Sequence, residues 1–515
     1  MSQSETSDTP TGSGLALGSG EAPTKSKMWA WALWDVGTQP FYSVITTFVF
    51  ATYVVSKPFA PTEPNWPTQA LTISTAIAAV FIAILAPMTG QQSERLGRTV
   101  RNLKYLTWAL ALVSMALVFT YPSSDFLWYG LFLVAAGTVI GELAWVNYNA
   151  LIERVALPEN VGRVSGFGWG MGYVGGILML AITLFVFINP DFGPFGIADC
   201  NNAAGQFVAC YGADGNFAPD VAAYTGFKLR VAMVVVGVWN IVWTAPIFVS
   251  MKDKAPSGQV EKLGVIGSYK SLFQAIAKLW RTQRHVAYFL LASALFRDGL
   301  AGIFTFGAVV AVTAFGFSTS EIIIFGMIAN VVAGVVTMLV GILDDKIGPK
   351  KVILIALGIL IVGTILAFAI HQPGYSLTAG QPGYDAAVSG QGKSIFWVLG
   401  LIMSAVVGPA QSAARSFLAR IIPEGQMGEI FGLYTFTGRV ASFLSPVLFG
   451  LFVGIGVAVM GPKVSVQHWG YLGLAICLAA GFAALLPVRS DPEALEAYTS
   501  FDPTVSEESP GEDLR

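Results

Sequence analysis

Along most of the chain the apolar positions run continuously for about twenty residues before a polar break, the length of helix that crosses a bilayer core. Continuous runs predict helices, whereas a membrane barrel would show alternation over about ten residues. A helix satisfies every backbone N–H and C=O within itself, as lipid demands. Twelve spans are predicted, at 29–55, 68–89, 103–121, 126–150, 163–188, 228–251, 286–315, 321–341, 351–371, 395–417, 428–455 and 466–488. A polar segment at 252–285 divides them six and six, and within it YKSLFQAIAKLW (269–280) reads as an amphipathic helix lying on the membrane surface. The expected organisation is a tail at 1–27, a six-helix bundle at 28–251, the linker at 252–285, a second bundle at 286–488 and an acidic tail at 489–515. Residues 1–27 lack the apolar core of a secretory signal, and both tails read as disordered. The fold class is thus an all-α integral membrane protein of two six-helix bundles.

The polar breaks contain a repeat. GQQSERLGRTV (90–100) and GILDDKIGPKK (341–351) share a plan 251 residues apart: a glycine (Gly90, Gly341), an acid at +4 (Glu94, Asp345), a base at +5 (Arg95, Lys346), a glycine at +7 (Gly97, Gly348) and further base (Arg98, Lys350). A second echo lies 266 residues apart, pairing Gly162, Gly166 and Gly172 with Gly428, Gly432 and Gly438. The long polar segment HQPGYSLTAGQPGYDAAVSGQGKS (371–394) absorbs the change of offset. Span 2 therefore answers span 8 and span 5 answers span 11, in two halves of like orientation. The acid of each knot is placed to cap and pair with neighbouring helix ends and bases, as a latch between helices that slide, and the glycines permit a tight turn.

Composition narrows the function. Of 515 residues 54% are hydrophobic and 12% charged, with mean hydropathy +0.64; a soluble domain carries about 25% charged residues. A net charge of −2 and the lack of zinc-type cysteine or histidine spacing give no sign of a nucleic-acid partner, a metal or another cofactor. No phosphate-binding G-x-x-x-x-G-K-[ST] marks an ATP-driven pump, and nothing marks an enzyme. Loops 2–3, 4–5, 6–7, 8–9 and 10–11, with their edges, hold seventeen Lys and Arg against five in the opposite loops, which puts both termini in the cytoplasm. Cys200 and Cys210 fall in the external 5–6 loop, either bonded to each other or free; Cys477 reads as a packing residue.

Parallel six-helix halves are the architecture of major facilitator transporters. The charged knots resemble that superfamily's signature G-x-x-x-D-[RK]-x-G-[RK]-[RK], with Glu94 and Thr99 departing in the first copy and Pro349 in the second. WALWDVGTQPFYSVITTFVF (31–50), NALIERVALPENVGRVSGFGWGMGYVGG (149–176), FRDGLAGIF (296–304) and GPAQSAARSFLARIIPEGQMGEIFGLYTFTGR (408–439) resemble blocks of the vacuolar amino-acid effluxer family, also called the unknown-major-facilitator family. Gly37-Thr38, Ile152-Glu153 and Arg297 depart from those blocks. The G-P-x-x-G-G pattern associated with drug antiporters is missing from span 5. The resemblance implies a secondary transporter of a small polar metabolite, amino acids first and of efflux type. Proton coupling, a monomer and a bacterial plasma membrane are the accompanying expectations. The alternatives are an exporter of amphipathic drugs or lipid precursors, and a non-transporting membrane partner or sensor.

Charge in hydrocarbon is costly, nominally about 2.5–3.5 kcal/mol at a helix centre, so intramembrane charges face a cavity or a partner. Spans 1, 4, 7 and 10, which line the cavity by the resemblance, contain Asp35, Glu142, Arg297, Asp298 and Arg415. Asp35 precedes Gly37 and Pro40, a place for a kinked helix, and shares a face with Gln39 and Tyr42. Its other reading is a helix-end group, with Trp29, Trp31 and Trp34 in an aromatic belt. Asp298 is the first choice for a proton-coupling carboxylate, a static ion pair being the alternative. Glu142, Trp145 and Asn149 form one stripe on span 4, and Ser404, Gly408, Gln411 and Arg415 another on span 10. Arg415 offers a two-pronged carboxylate contact or acts as a gate; Arg439 reads as a structural pair.

Overall fold

The computed structural model describes residues 23–54, 66–188, 219–254, 284–315, 319–370, 391–423, 426–461 and 466–489, with residues 17, 59, 274, 277, 279–281 and 317. Cys200, Cys210, most of the 252–285 linker and the 371–390 loop lie outside them. The described residues are almost wholly helical: α1 (Lys25–Pro40), α2 (Trp66–Arg95), α3 (Thr99–Ala116), α4 (Leu127–Ala150), α5 (Val161–Ile182), α6 (Pro219–Ser250), α7 (Arg284–Thr313), α8 (Thr319–Ile347), α9 (Pro349–Ile370), α10 (Gln391–Ile421), α11 (Met427–Ala441, resuming as Leu444–Met460) and α12 (Gly470–Leu485). Among the described residues, eleven helical stretches are long and apolar enough to cross a membrane. The first span joins them in pieces: α1 continues as a π-helix, Phe41–Phe48, and a short helix, Phe50–Val54.

The cause of that break is legible at Pro40. Proline has no N–H to give the carbonyl four residues back, which is that of Val36. Trp239 Nε1 of α6 supplies the missing donor at 2.9 Å. The kink expected in WDVGTQP is thus a widened turn, held open by a neighbour's indole.

Packing repeats six helices apart. In the first half α1 lies against α5 and α6, α2 against α4, and α3 against α4 and α6. In the second, α7 lies against α11 and α12, α8 against α10, and α9 against α10 and α12. The halves meet along α2–α11, α5–α8, α5–α10 and α4–α11. Two rows of glycine on α5 make its close approaches possible. Gly168, Gly172, Gly175 and Gly176 face Trp31, Asp35, Val36 and Gln39 of α1, while Gly162, Gly166 and Gly170 face Asp344, Gly341 and Met338 of α8. At the second seam, a Cβ on Gly428 would stand 2.6 Å from the Gly90 carbonyl oxygen. At Gly166–Gly341 and at Gly428–Gly90 backbone therefore meets backbone across the halves.

The charged knots are the ends of α2 and α8, which run past their predicted limits of 89 and 341 to Arg95 and Ile347. The glycine that follows each has positive φ, 60° at Gly97 and 87° at Gly348. That left-handed residue is what stops a helix and turns the chain into the next one.

Candidate functional site

Polar groups between the halves fall into three layers, counted from the end that carries the knots. The outermost holds the two latches. Glu94 accepts from the backbone N–H groups of Gly428 (2.8 Å) and Glu429 (3.2 Å), at the start of α11. Asp345 accepts from Gly162 (2.7 Å) and Arg163 (2.9 Å), at the start of α5. Each acid thus satisfies orphan N–H groups at a helix N-terminus in the opposite half, where a carboxylate also meets the positive end of the helix dipole. Both knots' acids thus hold helix ends across the halves, the contact that a latch would make.

The two copies are not alike. Arg420 of α10 lies 2.9 Å from Asp345 and 3.5 Å from Asp344, and Ser416 donates to Asp344. On the other side Gln91 reaches Glu429 at 3.0 Å, and Arg154 donates to the Lys252 carbonyl at 2.8 Å. Of the knots' bases, Arg95 and Lys346 are exposed, while Arg98 starts α3. Lys350 donates to the carbonyls of Leu486 (2.7 Å) and Val488 (2.6 Å), fastening α9 to the end of α12. Asp344, Ser416 and Arg420 escaped the sequence reading. Asp344 is hidden beside the motif's own acid, and nothing local aligns Arg420 with it.

The second layer centres on Arg415, 1% exposed. Its Nε donates to Ser165 Oγ (2.9 Å), Nη2 to the Ser165 carbonyl (2.6 Å) and Nη1 to Asn149 Oδ1 (3.4 Å), all in the first half. Its guanidinium carbon lies 4.7 Å from the Trp31 ring centre, 5.8 Å from Tyr148 and 5.8 Å from Trp169. Asp35 accepts a 2.7 Å bond from the Tyr148 hydroxyl and stands 3.9 Å from Arg415. Asp35 and Arg415 are therefore brought together across the two halves. Trp31 and Trp34 do not lie in an aromatic belt. Both are buried and stack on Tyr148 of α4, at 4.5 and 4.2 Å, with Trp31 also against Gly168 of α5 and Trp34 donating to Thr107 of α3; Trp29 alone of the three is exposed. With every donor group of Arg415 engaged, the layer is a plug.

The third layer lies deeper. Arg297 is thirteen residues from the start of α7, about 20 Å along its axis. Glu142 pairs with Arg439, their side chains 17% and 30% exposed. Trp145 stacks on Tyr434, with centres 6.3 Å apart, and Arg297 lies 3.9 Å above the Tyr434 ring. Every member of the α4 stripe thus meets the second half: Glu142 at Arg439, Trp145 at Tyr434, Asn149 at Arg415. Tyr42 lies over Gly141, Gln39 packs on Gly176, and Gln411 is half-buried on α10.

Asp298 is placed elsewhere. Its carboxylate accepts from the Ser445 backbone N–H, the Ser445 hydroxyl (3.0 Å) and the Cys477 thiol (3.7 Å), inside the second half among α7, α11 and α12. The residue caps the resumed part of α11 after its break at Ser442 and Phe443, so it does not face the gap between the halves, and among the described residues it lacks the ion pair offered as its alternative. Neighbouring residues on a helix point about 100° apart, which is why Arg297 reaches the seam and Asp298 does not. Replacing Asp298 with alanine is expected to lower stability by about 1–3 kcal/mol, the cost of leaving buried donors unmet. Thermal unfolding of the purified protein measures this; unchanged unfolding would show that the cap contributes nothing.

The family described as "Vacuole effluxer Atg22 like" matches residues 201–455. The uncharacterized MFS-type transporter YxiO of Bacillus subtilis (strain 168) is 22% identical over 421 residues, 81% of this chain and 86% of that protein. Autophagy-related protein 22-2 of Aspergillus clavatus is 24% identical over 306 residues, 56% of this chain. The match spans 43% of that fungal protein's length. Among solved structures, the major facilitator superfamily transporter FucP in its outward conformation superposes with TM-score 0.63 at 13% identity, over 91% of this chain and 100% of that one. The proton:xylose symporter XylE gives 0.60 at 15% identity, over 92% and 98%. Two repeated six-helix bundles, joined at the knots and sharing a charged seam, agree with these likenesses: the chain has the major facilitator fold and resembles MFS-type transporters and the Atg22-like vacuole effluxers.

Proposed function

We propose that this chain is a secondary transporter that moves a small polar metabolite, amino acids first, by alternating access coupled to protons. The carrying observation is the seam. Charges that hydrocarbon would penalise (Glu142, Arg297, Arg415, Arg439 and Asp35) lie where the two halves face one another. With latches and plug formed, the knot end is closed at Arg415, 1% exposed, while the deeper Glu142–Arg439 pair keeps 17% and 30% exposure. Opening the knot end requires Arg415 to leave Ser165 and Asn149, and Glu94 and Asp345 to leave their helix ends. The Lys and Arg bias of the loops supports assigning that end, and both termini, to the cytoplasm of a bacterial cell. The amino-acid class and the direction of efflux rest on the resemblance to the vacuolar effluxers.

Asp35 is the proposed coupling carboxylate, since a proton gained there cancels its attraction to Arg415 and loosens the plug. The test is uptake and counterflow in proteoliposomes, with an amino-acid panel, with and without a pH gradient. Asp35→Asn is expected to abolish gradient-driven accumulation while sparing counterflow. Accumulation equal to that of the native protein would remove the coupling role. Absence of amino-acid counterflow by the native protein would remove the substrate class.

A further inference from the structure

Arg297 is a cation at mid-depth whose surroundings are aromatic. Its guanidinium lies 3.9 Å from the Tyr434 ring centre and 6.0 Å from that of Trp145, and Nη1 donates to the Tyr434 carbonyl at 3.0 Å. Among the described residues no carboxylate pairs with it. Asp298, its chain neighbour, is held by Ser445 and Cys477. Glu142, the acid of this layer, is held by Arg439. The layer therefore has two guanidinium groups and one carboxylate, an excess of one positive charge inside the span. A half-buried cation inside the span without its counter-ion is unfavourable, and its fork is shaped to take a carboxylate by two parallel bonds.

We propose that Arg297 is the seat of the substrate's carboxylate, with the Trp145–Tyr434 pair as the wall that orients the guanidinium. The inference rests on the transport reading and adds its recognition rule: a carboxylate is required, and an amine is not sufficient. The ring beneath the guanidinium blocks one face, and the carbonyl of Tyr434 fixes one edge. Gly438 packs close to the guanidinium, where a Cβ would stand 3.0 Å from Nη1 and 3.6 Å from Nη2. Glu142, one helical turn from Trp145, marks the side on which a substrate's ammonium group would lie.

The experiment is counterflow and thermal stabilisation with leucine, lysine and glutamate, each beside its carboxamide, its decarboxylated amine and its deaminated acid. The native protein is expected to respond to carboxylates and to ignore amides and amines. Arg297→Gln should weaken that response at least about tenfold, with Arg297→Lys between the two, since lysine keeps the charge and loses the fork. Gly438→Ala, which displaces the guanidinium without removing it, should weaken the response too, and so guards against simple misfolding of the Gln variant. A response to deaminated acids alone would keep the seat and reject amino acids as substrate. Amides or amines acting as well as acids, or full activity in Arg297→Gln, would overturn the seat while leaving transport standing. No response to any compound would overturn both.

Discussion

Replacing Arg415 with alanine is expected to abolish transport and to destabilise the purified protein. The guanidinium is 1% exposed and reaches three acceptor atoms on α4 and α5, with Asp35 at 3.9 Å. Removing it leaves Asp35 beside Tyr148 without its cation and frees the Ser165 carbonyl in a place closed to water. Breaking one side of a buried ion pair costs about 3–5 kcal/mol, and the volume vacated among Trp31, Tyr148 and Trp169 adds a cavity term. Lysine at this position keeps the charge but not the fork, so Arg415→Lys should fall between the two. Adding Asp35→Asn to Arg415→Ala should recover part of the lost stability, because the orphaned charge is removed with its partner. Thermal unfolding and counterflow measure these effects. Native-like behaviour of Arg415→Ala in both would show that the plug is incidental.

A second large effect is expected at Gly428. A Cβ there would lie 2.6 Å from the Gly90 carbonyl oxygen and 3.3 Å from Glu94 Cβ. Its obstacle is backbone, which cannot swing aside as a side chain can. Valine should therefore hold α2 and α11 apart and undo the Glu94 latch with them. Overpacking typically costs about 1–3 kcal/mol, and each 1.4 kcal/mol is about tenfold in a two-state ratio, so the closed knot end should become a minor state. Gly166→Val, at the other seam, where a Cβ would lie 2.7 Å from the Thr337 carbonyl oxygen and 2.9 Å from Gly341 Cα, should act alike. A cysteine at Ser416, buried behind the second latch, reports the opening by its rate of reaction with an impermeant maleimide. Faster labelling with lost transport is the expected result. Labelling and transport both unchanged would mean that the close contact is dispensable.

The two seams show how far the repeat could be read from residues alone. Gly90 and Gly341, with their acids at +4, announced a shared latch, and the helix ends they cap lie in the second echo, at Gly162 and Gly428. The repeat also concealed a difference. Only the second copy adds Asp344, Ser416 and Arg420, because Asp344 faces α10 and its N-terminal counterpart, Ser93, instead bonds Asn102 at 2.8 Å. Tyr148 and Ser165, central to the plug, lacked any charge that would have drawn attention in a hydropathy reading.

Local terms made the spans, their breaks and the duplication legible in the chain alone. An apolar run of sufficient length must be helical in lipid, Pro40 must free a carbonyl, and a glycine after each knot must turn the chain. Partner choice was decided only in three dimensions. Asp298 was taken by Ser445 rather than by the cavity, Trp31 and Trp34 by Tyr148 rather than by the membrane surface, and Arg297 by an aromatic wall rather than by an acid. Each of those outcomes depends on which face of one helix meets which face of another, between residues more than a hundred positions apart. No local preference encodes that meeting, since it is set by how the glycine rows of α5 and its repeat let the helices close upon one another.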